Sequence, residues 1–151
     1  MREIKRIFVH CTATSPTATI DALWNGWKKL RWKKPGYHYV VKADGSITKL
    51  LDEVQVANGV KGYNPTSVHV AYIGGIVRSA SGEKATADTR TEAQKKSLRH
   101  LLKELKGRYP KAQILGHRDI SPDKNGNGKV DRWERIKECP CFDAGVEYAD
   151  V

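Results

Sequence analysis

A chain of 151 residues with 39% hydrophobic and 29% charged residues is long enough to bury a core without covalent staples and too apolar to stay disordered. Its formal net charge of +10 speaks to partners rather than fold, drawing it toward nucleic acid, anionic membrane surfaces or the carboxylate- and phosphate-bearing bacterial wall. No apolar run approaches the roughly 18 residues of a membrane helix, and the three cysteines, Cys11, Cys139 and Cys141, are an odd number for a closed disulfide framework.

In chain order, Ile4 to His10 alternates as a strand that ends at the histidine. After a polar loop, Thr19 caps a helix whose Ile20, Leu23, Trp24 and Trp27 recur at helical spacing, with the tryptophans expected inward. A lysine and arginine cluster follows at Lys28, Lys29, Arg31, Lys33 and Lys34, readable as a solvated face. Pro35 and Gly36 break the helix, and Tyr37 to Lys42 reads as a strand that returns through an Asp44-Gly45 hairpin into Ile47 to Leu51. Val68 to Ile73 is a further strand, ended by Gly74-Gly75. Ser79 to Arg90 is small and polar, which predicts a mobile surface excursion. Thr91 and Gln94 form a capping box ahead of a helix striped by Leu98, Leu101, Leu102 and Leu105, and the strand Gln113 to Leu115 then delivers Gly116 and His117. These elements predict one domain over residues 1–151 in the α/β (α+β) class, a single mixed sheet with flanking helices.

His10 and His117 each close a predicted strand, and strands that run the same way end at the same rim of a sheet. With Cys139 they would give a histidine, histidine, cysteine set that leaves a zinc ion one open position, the arrangement of catalytic rather than structural sites. Cys139 and Cys141 are one residue apart, so at most one is expected to serve a metal. Cys11, next to His10 on a strand, is expected to face the core. His38 reads as a structural neighbour of Tyr37, and His69 and His100 as surface residues.

The pieces FVHCTAT, GYHYVVKADG, KGYN, YIGG, the leucine helix, GHRD and CPCFD, in that order from Ile7 to Phe142, resemble the zinc-dependent N-acetylmuramoyl-L-alanine amidases, the amidase-type phage lysozymes and related peptidoglycan recognition proteins. The resemblance implies that His10, His117 and Cys139 hold zinc, that Tyr37 and Lys137 are catalytic, and that the substrate is the amide bond between N-acetylmuramic acid and the first L-alanine of peptidoglycan. Chemically, zinc activates water and polarises a carbonyl, Lys137 would steady an oxyanion, and Tyr37 could orient water or exchange a proton.

Between His117 and Cys139 lies an insert, Asp123 to Glu134, that fits the twelve-residue calcium-loop pattern: Asp123, Asn125, Asn127, the carbonyl of Lys129, Asp131 and Glu134, with Gly128 at the sharp turn. Such Asn-Gly stretches also form turns without any ion, and magnesium or sodium would suit the same oxygens. Two other functions fit the sequence: a peptidoglycan-binding module without hydrolysis, and a basic nucleic-acid-binding protein. No nucleic-acid reader motif is present, so neither a nucleic-acid nor a membrane partner is expected, and the chain is expected to be a monomer. With no export signal visible, the expectation is a phage or prophage endolysin made in the cytoplasm and released to the wall by a separate permeabilising partner.

Overall fold

The computed structural model describes residues 2–128 and 130–151. Its frame is a five-stranded sheet in the order β3-β2-β4-β1-β7, where β1 is Arg6–Cys11, β2 Tyr39–Val41, β3 Ile47–Lys49, β4 Ser67–Tyr72 and β7 Gln113–Gly116. Four strands are parallel and β3 alone is antiparallel, so the fold is mixed α/β. The β2–β3 hairpin turns where Asp44-Gly45 predicts it, with Lys42 N–H donating to Ser46 O at 2.9 Å. The strand ends shift by a residue or two from the sequence expectation. Tyr37 falls before β2, and Cys11 and Gly116 extend β1 and β7.

Period-two alternation gives the sheet two different faces. Ile7, Val9 and Cys11 point with Val68, Val70 and Tyr72 into a core covered by α2 (Glu92–Arg108), whose Leu98, Leu101, Leu102 and Leu105 are all buried. Full burial of each such leucine contributes about 1.5–3 kcal/mol. The Thr91–Gln94 capping box forms, and the Gln94 side-chain amide donates to Val41 O and Ile73 O, both at 3.1 Å, pinning α2 over the ends of β2 and β4. The opposite face carries Val40, Ala71 and Ile73 under α1 (Ile20–Lys29), with Leu23 and Trp27 buried against them. Trp27 fills this core and Trp24 is only half-buried beside it.

One expectation is refined and one fails. Ser79 to Arg90 lies at the surface, exposed from Ser79 to Thr86, and carries β6 (Lys84–Thr86), which pairs antiparallel with β5 (Ile76–Arg78). Arg90 at its end is buried, held by Asp88 at 2.8 Å and Glu147 at 2.5 Å, with its guanidinium 3.4 Å from the Phe142 ring centroid. Glu147 belongs to the short helix α3 (Ala144–Glu147), which packs beside β7. The failure is His69, expected at the surface. It is fully buried because β4 lies between β2 and β1 with both faces covered, so polarity inside this strand does not mean exposure. His100, by contrast, is exposed on α2 beside Glu104.

Candidate metal centre

β1 and β7 are adjacent and parallel, with Val9 level with Gly116, so His10 and His117 leave the sheet side by side at one rim. Their rings are 5.0 Å apart. A Cβ at Gly116 would sit 2.7 Å from Pro140 Cδ, so only glycine lets the 139–141 turn approach this closely. Arg118 N–H donates to Cys139 O at 2.8 Å and locks the approach. Cys139 Sγ then lies 3.7 Å from His10 Nδ1 and accepts the Cys11 N–H at 3.2 Å. Donor atoms of His10, His117 and Cys139 all fall within 4.8 Å of one another, and among the described residues no other His, Cys, Asp and Glu group converges in this way.

This donor set fits zinc. Two imidazoles and a thiol are its borderline-soft ligands, and bonds of about 2.0–2.1 Å to nitrogen and about 2.3 Å to sulfur put tetrahedral donors about 3.5 Å apart, close to the His10–Cys139 spacing. Burial, with the neighbouring His69, His117 and Lys137 adding to it, holds His10 well below its usual pKa. Burial and then the Lys137 charge push His117 down to about 4. Both imidazoles are therefore neutral near pH 7, with lone pairs free to bind a metal.

Tyr37 stands over His10, ring to ring at 5.1 Å, and its hydroxyl donates to Cys11 O at 3.4 Å. Burial, and then the nearby Cys139 and Cys11 thiols, raise its pKa, so it remains a proton-bearing donor. Lys137 is exposed and lines, with His10, Tyr37, His117 and Cys139, a cavity of about 190 Å³. His117 and Lys137 also border a larger groove of about 950 Å³, walled by Trp32, Val60, Pro65 and Ile136. A long substrate could lie in the groove and present one bond to the small cavity.

Residues 1–135 match the family described as N-acetylmuramoyl-L-alanine amidase. The chain belongs to the N-acetylmuramoyl-L-alanine amidase family. Among its relatives, the endolysin of Klebsiella phage KP32 is 35% identical over 148 residues, covering 95% of this chain and 94% of that one. An uncharacterized Haemophilus influenzae protein is 46% identical over 100 residues, 66% of this chain and 83% of its own. The solved Ph2119 endolysin from a Thermus scotoductus bacteriophage superposes with a TM-score of 0.71 over 99% of this chain and 85% of its own at 24% identity, a likeness of fold. The structure of Drosophila peptidoglycan recognition protein SD shares the same fold at a TM-score of 0.68 and 17% identity, over 97% of this chain and 81% of its own.

The amidase match ends at residue 135, before Lys137 and Cys139. The geometry separates the two nearby cysteines: Cys141 turns away, its Sγ 3.9 Å from that of Cys11 and 3.8 Å from Gly75 O. Cys141 adopts φ 73°, an unusual left-handed conformation for a residue with a side chain. The insert closes on itself. Glu134 is buried and accepts the backbone N–H groups of Lys124, Asn125 and Asp131. Asp123 accepts those of Gly126 and Gly128, and Asp131 accepts both the Asn125 and Asn127 amides. Lys129, expected to lend a carbonyl, lies outside the described residues.

Sequence reasoning missed the residues that support His10. His10 Nε2 lies 3.0 Å from His69 Nδ1. His69 N–H donates to His38 Nδ1 at 3.0 Å, and His38 Nε2 donates to Gln55 O at 2.8 Å. His69 Nε2 is buried without a hydrogen-bond partner among the described residues, a cost of about 1–3 kcal/mol. The available signal was a histidine inside a β-branched central strand, where a polar group must have a partner.

Proposed function

We propose that this chain is a zinc-dependent amidase that cleaves the bond between N-acetylmuramic acid and L-alanine in peptidoglycan, acting as a phage or prophage endolysin. The convergence of His10, His117 and Cys139 beside Tyr37 and Lys137, where the groove meets the small cavity, carries the reading. Endolysins matched over almost their whole length support the biological setting, with release to the wall after synthesis in the cytoplasm. Bound zinc supplies Lewis acidity toward water and the scissile carbonyl.

The chain's own residues do the rest. His10 and His117 present neutral nitrogens, and Cys139 presents its sulfur from a turn braced by Arg118. Lys137 brings a positive charge to the edge of the cavity, where negative charge develops on the carbonyl oxygen. Tyr37 keeps its proton at neutral pH and donates a hydrogen bond that orients the attacking water or the leaving amine. Trp32 and Ile136 offer apolar walls to the glycan or stem peptide, and the +10 charge favours an anionic wall. The chain acts as a single-domain monomer, and the 123–134 loop takes calcium, a reading supported by its ligand spacing.

Purified peptidoglycan digested by the protein should release stem peptides with L-alanine amino termini, detected by mass spectrometry. Chelation should abolish release and zinc should restore it. Activity that survives complete metal removal refutes the zinc mechanism, and binding without release reassigns the chain as a recognition module. Titration calorimetry of the zinc-loaded protein should show calcium binding; no heat would remove calcium from the reading.

A further inference from the structure

We propose that His69 is a positioning residue for the metal centre: it accepts the Nε2–H of His10 and so holds that imidazole with its Nδ1 lone pair turned toward Cys139 and the metal. The inference rests on the zinc reading above. It begins from the two opposed contacts of one ring, Nε2 at 3.0 Å from His69 Nδ1 and Nδ1 at 3.7 Å from Cys139 Sγ. A neutral imidazole has one proton. If that proton sat on His10 Nδ1 it would occupy the lone pair that the metal needs, so metal binding requires it on Nε2. The atom facing Nε2 must then accept, which makes His69 Nδ1 bare and places the His69 proton on Nε2.

The surroundings hold His69 in that orientation. Its ring stacks between Phe8, at 5.5 Å and 8° between planes, and His38, at 5.9 Å and 2°. Its backbone N–H is fixed on His38 Nδ1. The 59 position closes over it from above: a Cβ on Gly59 would lie 2.3 Å from His69 Nδ1, so the backbone rests on the ring and only glycine leaves it room. The ring can neither slide away from His10 nor satisfy its own Nε2, which has no partner among the described residues. An apolar side chain would fill the same stack without a buried orphan nitrogen. What it could not do is accept from His10, and that function accounts for the histidine.

The test uses zinc binding and ring nitrogens rather than turnover. Zinc affinity is measured by competition with a chelating dye, and long-range ¹⁵N–¹H spectra of the histidine side chains report which nitrogen carries each proton. Wild type should show His10 protonated at Nε2 when zinc-loaded. His69→Leu, which fills the stack but cannot accept, should bind zinc about 10- to 100-fold more weakly and lose the single His10 tautomer in the metal-free state. His69→Gln, whose amide oxygen accepts, should recover most of the affinity. A leucine variant that holds zinc as tightly as wild type, with unchanged His10 nitrogen shifts, overturns the proposal and leaves the zinc reading intact. Wild type that binds no zinc overturns both. Should the leucine variant fail to fold, Gly59→Ala, which must displace the ring from His10, is expected to weaken zinc likewise, and unchanged affinity there overturns the proposal.

Discussion

The two faces of the one sheet solve opposite problems with the same strands. Toward α2, β1 presents Ile7, Val9 and Cys11 to a mainly apolar core, where volume-conserving hydrophobic swaps are tolerated best. Toward the groove it presents Phe8 and His10, which meet His69 and His38 in a layer of buried imidazoles joined by hydrogen bonds and ring contacts. The difference lies in what burial demands: apolar atoms need only neighbours, whereas buried nitrogens need partners of the right sense. The α2 face is almost wholly apolar packing, whereas the other face divides between the α1 core and the imidazole layer.

The largest effect that tests this division is Cys139→Ser. It should lower kcat/KM on peptidoglycan by about 10³-fold or more, because the metal's contribution is several kcal/mol, while the thermal midpoint of the metal-free protein stays near wild type. A large loss of metal-free stability would show that the centre is part of the structural core. On the other face, Leu102→Ala should cost about 2–5 kcal/mol in denaturant unfolding. Its surviving folded fraction should bind zinc with wild-type affinity. Lys137→Met should reduce kcat by about 10²-fold to 10³-fold with zinc affinity unchanged, and a shift in zinc affinity instead would make the lysine part of the metal's support.

The faces were also unequally legible in the sequence. The apolar face announced itself through local rules: the Thr91–Gln94 box, the leucine stripe of α2 and the Asp44-Gly45 turn all stand where the pattern puts them. His10 and His117 could be read as strand ends, yet their meeting depends on β1 and β7 being neighbours across more than a hundred residues, which no local pattern encodes. Cys139 against Cys141 was decided by resemblance, and the divergence of the two thiols follows from a turn packed on Gly116. The burial of His69 is not legible locally because its partners, His10 in β1 and His38 just before β2, are distant in the chain. The β5–β6 hairpin escaped for a different reason, since Lys84–Thr86 carries almost no apolar signal.

Acid should separate the faces with the smallest effect and the sharpest contrast. In the metal-free protein His10, His69 and His117 are all held below the usual imidazole value by burial, His117 at about 4 against 6.5. The unfolded chain then takes up protons first as pH falls, so stability present above 6.5 drains away from there toward about 4. At the edge of the apolar face, Glu53 has its side chain 12% exposed and accepts from Arg108 at 2.7 Å, from Tyr109 at 2.8 Å and from Tyr39. Burial pushes this carboxyl up, but those hydrogen bonds, Arg108 foremost, outweigh it and leave the pKa below the usual 4.5. Its contribution is therefore complete above 4.5 and lost as pH falls through the lower folded value. Thermal midpoints from pH 7.5 to 3 should show two limbs, and Glu53→Gln should flatten only the lower one while costing about 1.5–3 kcal/mol at neutral pH. If the glutamine variant also removes the upper limb, the faces are coupled through His38, whose Nε2 lies 3.3 Å from Arg2 and which feels the Glu53 charge.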